Sequence, residues 1–155
     1  MGRCGVELAP LLDVLRRELL AQDILHAEET PVAMLAPGNK KTQRAYVWAY
    51  ATPRTLPIQG VVYDFQPTPS GEVSREFLAG WQGSLICDDY AGYKAGFAQD
   101  IREVGCWAHA RRKFHELLER NQSPIAERAL ASIGALHEIE RVTAEMTPEH
   151  RHHVR

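Results

Sequence analysis

The sequence predicts a mixed α/β domain: a five-stranded sheet with flanking helices and a helical C-terminal extension. Three observations carry this. Leucines recur at helical spacing near the N-terminus, five short β-type runs follow, and the last third returns to helical periodicity behind a strong start signal. The 155 residues suit one compact domain with little room for a second.

The first element is a helix. Leu8, Leu11, Leu12, Leu15 and Leu19 recur at steps of three and four, with Arg16, Arg17 and Glu18 between them. A strand follows from Ile24 to Ala36, with an interruption expected near Pro31 because proline cannot donate to a sheet ladder. Pro37-Gly38-Asn39 reads as a turn. Ala45 to Ala51 places Tyr46, Trp48 and Tyr50 at period two, and Ile58 to Phe65 is rich in valine and aromatics. The Thr52 to Pro57 link between them predicts an antiparallel hairpin. Ser74 is positioned to cap a short helix through Phe77 to Trp81. Ser84 to Cys87 is a fourth strand ending at Asp88-Asp89, and Tyr90 to Asp100 is a connection with helical character. Glu103 to Trp107 is a fifth strand, and His109 to Arg120 opens a basic helix. Ser123-Pro124 pairs a capping hydroxyl with proline at the first helical position; Leu130, Ile133, Leu136 and Ile139 then share one face. Thr147-Pro148 repeats the start signal close to Arg155, which reads as a helix cut short, with a disordered His/Arg tail. Trp48 and Trp107 are expected in the core, and Tyr90 and Tyr93 beside Asp88.

Composition narrows the function classes. A hydrophobic share of 45% and a charged share of 25% are ordinary for a globular protein. No apolar run approaches the roughly 18 residues that would span a membrane, and Met1 to Pro10 lacks a secretory pattern, so the cytoplasm is the default compartment. Cys4, Cys87 and Cys106 are odd in number and show no paired spacing, which argues against a disulfide framework. The net charge of -2 leaves any DNA contact to local clusters. These are Lys40-Lys41 with Arg44, Arg111-Arg112-Lys113, and the tail from His150. Cations at a helix start oppose the helix dipole, which favours a use for Arg111 to Lys113 such as phosphate contacts; a solvated face explains them equally well. Lys40 and Lys41 could serve DNA or simply protect a hairpin edge. Cys106-x-x-His109 has the spacing of half a zinc site, but a full site needs about four ligands and only Cys87 and His115 could add to it, so a buried thiol on a strand and a histidine beside the active site are the expectation.

Acidic residues lie in the first strand (Glu28, Glu29) and after the fourth (Asp88, Asp89). Carboxylates at the ends of separate strands can converge on divalent ions, whose hard character selects oxygen ligands. Solvated loop carboxylates give the same pattern.

Three blocks in order are more specific: Leu25-His26-Ala27-Glu28-Glu29-Thr30-Pro31-Val32, Asp88-Asp89-Tyr90-Ala91-Gly92-Tyr93, and Cys106-Trp107-Ala108-His109-Ala110-Arg111-Arg112-Lys113-Phe114. Together with Leu78 to Gly83 and Ala135 to Arg141, they resemble the transposases of the insertion sequence 66 family from about Leu8 onward. The resemblance implies a ribonuclease-H-like fold with a DDE site, in which two aspartates and a distant glutamate bind two divalent metal ions, Mg or Mn. It implies cleavage of transposon ends by water and joining of the freed 3′ hydroxyl to target DNA, with self-association as a further possibility. Catalytic and metal-binding roles fall on Glu28, which stands where the family has aspartate, and on Asp88. His109 is placed as an active-site helper, and Arg111, Arg112, Lys113, Lys40 and Lys41 as DNA contacts. Asp89 and Pro69 stand where the family has glycine and a basic residue.

The implied division is an N-terminal helix over 1–22, an incomplete catalytic core over 23–120 and a truncated helical segment over 121–155. The family's glutamate belongs to a later segment, and the N-terminal helix-turn-helix and zinc-binding region is absent. The extra methylene of Glu28 moves its carboxylate by roughly 1 Å, against a tolerance of about 0.5 Å, with a penalty on the order of 100-fold in rate. The competing expectation is a catalytically inactive remnant that binds DNA weakly through Arg111 to Lys113.

Overall fold

In the computed structural model of the protein, residues 3–38, 40–67, 71–97 and 100–154 are described. Asn39, Pro69 and Arg155 lie outside the described residues. The chain forms two compact units, Met1–Gly105 and Cys106–Arg155.

The first unit holds five strands: β1 (Ile24–Met34), β2 (Gln43–Ala51), β3 (Val61–Gln66), β4 (Ser84–Cys87) and β5 (Arg102–Gly105). They form one mixed sheet in the order β3-β2-β1-β4-β5. β1, β2 and β3 are antiparallel neighbours, whereas β4 runs parallel to β1 and β5 parallel to β4. Helix α1 (Arg3–Leu20) precedes the sheet, α2 (Gly71–Phe77) links β3 to β4, and α3 (Ala91–Phe97) links β4 to β5.

Alternation along the strands fixes the buried face. Leu25 and Ala27 of β1, Trp48 and Tyr50 of β2, Val62 of β3 and Leu85 and Cys87 of β4 all enter the core. Val73 and Phe77 of α2, Leu78, Trp81 and Tyr93 of α3 close over them. Phe77 stacks on Tyr50 with ring centroids 3.8 Å apart, and Tyr93 meets Trp48 edge-on at 5.5 Å. The opposite face of β3 leaves Tyr63 and Phe65 exposed, at 65% and 52%.

Several expectations are corrected. β1 is continuous through Pro31, which pairs with Tyr46 of β2. Among the described residues, pairing to β4 ends at His26, so at Pro31 β1 pairs on one side only, where a proline is tolerated. Ser74 is not a cap: it lies inside α2 and is buried. The leucine stripe of α1 is covered only at its C-terminal end, where Leu19 is buried and Leu15 packs on the core, while Leu8, Leu11 and Leu12 stay exposed. Arg16 secures that end by donating to the carbonyls of Glu76 and Phe77 at 2.6 and 2.9 Å. β5 stops at Gly105, so Trp107 begins a helix instead of ending a strand, and it is 55% exposed.

The second unit is helical: α4 (Trp107–Asn121), α5 (Pro124–Thr143) and α6 (Pro148–Val154). Ser123 caps α5 by accepting from Ala126 N–H at 3.5 Å, with Pro124 at its start. The segment expected to be disordered is α6, whose Arg151 donates to the carbonyls of Thr143 and Ala144 at 3.1 and 2.9 Å.

Candidate active site

β1 and β4 are adjacent and parallel, with His26 opposite Ile86 as the last pair in their ladder. Two residues further along β1 stands Glu28, and two further along β4 stands Asp88. Both acidic positions therefore lie where the shared ladder runs out. Such strand ends are the usual place for ligands in open sheets with parallel strands. The Asp88 carboxylate accepts a hydrogen bond from Tyr90 N–H at 3.0 Å, which turns the chain from β4 into α3.

The two glutamates of β1 point to opposite faces. Glu29 follows Leu25 and Ala27 at period two and sits opposite Trp48 of β2, so it belongs to the core face. Glu28 follows Ile24 and His26 on the other face, opposite Ala49, and is exposed. Glu29 is half-buried, and its pKa is pushed up to about 7 by burial, then by the Asp88 carboxylate, with a smaller push from Glu28. The Tyr93 hydroxyl approaches Glu29 and favours its ionised form. That contact falls short of hydrogen-bond geometry, so Glu29 Oε2 and the Tyr93 hydroxyl are both buried without a hydrogen-bond partner among the described residues. The indole N–H of Trp48 and the hydroxyl of Tyr50 are in the same position.

The donor set suits a hard divalent cation. Glu28, Glu29 and Asp88 offer carboxylate oxygens, and the repulsion of Glu29 by Asp88 is of the kind that a cation relieves. Among the described residues, no group of three or more His, Cys, Asp or Glu side chains is placed to hold a metal. Asp89 turns outward and forms an ion pair with Lys94 at 2.7 Å, and Lys94 also reaches Glu103 of β5 at 2.9 Å.

The remaining predicted site residues are scattered. Lys40 and Lys41 are exposed in the β1–β2 connection. At ~3.3 Å per residue, the six steps from Glu28 to Met34 already put them roughly 20 Å away from the carboxylates. His109, Arg111, Arg112 and Lys113 belong to α4 in the second unit; His109 is half-buried and the three cations are exposed. Cys106 precedes α4 without a side-chain capping bond. Cys87 is buried in the first unit, its thiol pushed up to about 12 by burial and then by Glu103 and Asp88.

The sequence named both glutamates but gave neither a face. Leu25, Ala27 and Glu29 share one parity, and the first two are the apolar positions that a sheet must bury. Glu28 has the parity of His26, and the His26–Ile86 pairing continued by two residues sets it opposite Asp88.

The five-stranded mixed sheet with flanking helices is consistent with a ribonuclease-H-like arrangement. The sequence matches the family described as "Transposase IS66 family" over residues 1–155, and the chain belongs to that family. It is similar to three proteins of Sinorhizobium fredii (strain NBRC 101917 / NGR234). The uncharacterized protein y4qI is 35% identical over 94% of this chain and 29% of its own length. The uncharacterized protein y4jD is 30% identical over 96% of this chain and 31% of its own length. The uncharacterized protein y4hP is 30% identical over 100% of this chain and 32% of its own length. The chain thus spans about a third of the length of the curated relatives it matches. Among the described residues, no helix is long and apolar enough to cross a membrane.

Proposed function

We propose that this chain contributes the front part of a DDE-type transposase site, which cleaves DNA at transposon ends and joins the freed end to target DNA. The observation that carries this reading is the meeting of acidic positions from β1 and β4 at the end of their shared ladder. Asp88 and a β1 carboxylate, Glu28 by its place in the family block, would hold Mg or Mn. Bound there, such ions supply charge stabilisation for phosphoryl transfer and help to activate the attacking oxygen.

The chain's own residues act by position. The hydrogen bond from Tyr90 N–H fixes the Asp88 carboxylate. The β1–β4 pairing sets the spacing between the two strands at about 4.8 Å. Trp48, Tyr50 and Tyr93 pack in the core beneath the sheet and hold β1 and β2 rigid. Arg111, Arg112 and Lys113 would contact DNA phosphates, as would Lys40 and Lys41.

A nicking assay on supercoiled DNA tests the reading. Manganese-dependent nicking that Asp88→Ala abolishes is the expected result. DNA binding with no metal-dependent cleavage is the result that the inactive remnant gives, and it would overturn the catalytic reading.

A further inference from the structure

We propose that the tip of the β1–β2 hairpin inserts Leu35 between base pairs of the duplex held at the carboxylates, with Lys40, Lys41 and Arg44 on the flanking phosphates. The inference rests on the transposase-type reading, which brings DNA to the site, and adds to it a wedge that acts at a distance from the cleaved bond.

The hairpin forms an arm. β1 pairs with β4 only as far as His26, and β3 joins β2 only from Tyr46 onward. Val32, Ala33 and Met34 therefore pair with Ala45, Arg44 and Gln43 and, among the described residues, with no other strand. A two-stranded ribbon of this kind fits into a groove of DNA. The arm also leaves the sheet at the end where the acidic positions lie. β1 and β4 run parallel, and the arm continues β1 past the point where β4 gives way to Asp88. At ~3.3 Å per residue, Leu35 stands roughly 23 Å along from Glu28, which is about seven base pairs of duplex at about 3.4 Å each.

The charge of the arm suits phosphate. The sequence has 20 acidic residues, and none lies between Thr30 and Tyr63, a stretch that holds Lys40, Lys41, Arg44 and Arg54. In a chain of net charge -2 this is a marked local segregation. Lys40, Lys41 and Arg44 are all exposed.

Beside these cations stands an uncovered apolar side chain. Leu35 is 82% exposed, more than any other large hydrophobic side chain among the described residues, and it follows the last paired residue of β1. Pro37 and Gly38 come next, and the φ of 93° at Gly38 fits a type II turn with proline before it. Such a turn sets the tip in advance of binding. A single exposed leucine is ordinary on a protein surface. One at the end of a basic ribbon that runs on past the carboxylates has the chemistry of a wedge, since leucine and proline are among the side chains that unstack base steps.

The test uses the whole chain and a duplex of roughly 30 base pairs built from repeated T-A steps, which unstack readily. Some adenines are replaced with 2-aminopurine, which brightens when it is unstacked. The wild type is expected to raise the emission on binding. Leu35→Ala is expected to lose most of that rise and to bind about fivefold more weakly, with the salt slope unchanged. Leu35→Met, which keeps a wedge, is expected to retain the rise. Lys40→Ala with Lys41→Ala is expected to lower the slope of log K against log salt by about 2. Ile58→Ala, exposed in the link between β2 and β3, controls for loss of a surface apolar group. Emission and affinity unchanged in Leu35→Ala overturn the inference and leave the transposase-type reading intact. An unchanged slope in the lysine variant also counts against the inference. A Leu35→Ala chain that keeps its DNA affinity but loses self-association in sedimentation assigns the tip to a second copy and overturns the inference as well. A wild type that binds no duplex overturns both readings.

Discussion

Glu29 carries a pH signature of its own. Its pKa is about 7 in the folded chain, against an ordinary value of 4.5. The folded state therefore binds this proton more tightly than the unfolded state does. The sign follows: the contribution favours folding below about pH 4.5, fades as pH rises through 7, and is absent above. Glu29→Gln should match the wild type in stability near pH 4 and exceed it by about 1–2 kcal/mol near pH 8, discounted for partial solvent contact. Paired denaturant titrations at the two pH values check this; equal stability at both would refute the placement of Glu29. Cys87 makes a second case at this scale. Buried and with its thiol raised to about 12, it should resist a thiol reagent in the native state, while exposed Cys4 reacts promptly. Labelling followed by peptide mass analysis reads both. At residue level, Asp88 was legible because it ends an apolar run that could only be a strand. Which of Glu28 and Glu29 faces the core was hidden, because two adjacent glutamates look alike until a strand face separates them.

Among the elements, the helix boundaries make the sharpest predictions. α4 ends at Gln122, which adopts a left-handed conformation at φ 52° and donates its N–H to Leu118 O at 2.8 Å. Glycine meets no steric penalty there, so Gln122→Gly should stabilise the chain by about 0.5–1 kcal/mol. One residue on, Ser123→Ala should destabilise it by about 1 kcal/mol through loss of the α5 cap. Thermal melts of the two single variants should move in opposite directions. Gly83 is a tighter constraint. A Cβ there would lie 2.7 Å from Asp23 O and collide with the Trp81 ring, just where Ser84 N–H donates to Asp23 O to start β4. Gly83→Ala is expected to destabilise by about 2 kcal/mol or more, measurable by urea denaturation. The strands were readable because aromatic residues at period two leave little choice. Ser74 and Trp107 were misread because capping residues and tryptophans resemble one another in sequence whether they face a helix end, a core or solvent. Their surroundings come from elements distant in the chain, as when the helix carrying Ser74 packs over Tyr50.

For the molecule as a whole, charge and uncovered apolar surface set the expectations. Arg111, Arg112 and Lys113 are exposed and consecutive on α4. If they meet phosphates, replacing all three with alanine should lower the slope of log K for DNA binding against log salt by about 3. Fluorescence anisotropy across a salt series measures it, and an unchanged slope assigns them to a solvated face. Leu8, Leu11 and Leu12 on α1 and Tyr63 and Phe65 on β3 leave considerable apolar area in water. Self-association that rises with concentration is expected, and sedimentation velocity should show it reduced by Leu8→Glu with Leu12→Glu. The five strands, the β2–β3 hairpin and the helical extension could be anticipated from periodicity, and the fold class from the three sequence blocks. The extent to which α1 is buried could not, since the leucine stripe is uniform along its length and only its last two turns meet the sheet.

The place of β3 in the sheet also bears on how the chain behaves in concentrated solution. β3 stands at one end of the strand order, pairs with β2, and carries the exposed rings of Tyr63 and Phe65. A sheet edge with apolar side chains beside it is a template on which another chain can add a strand. Heated or crowded samples should therefore stick to one another through this edge before the rest of the sheet opens.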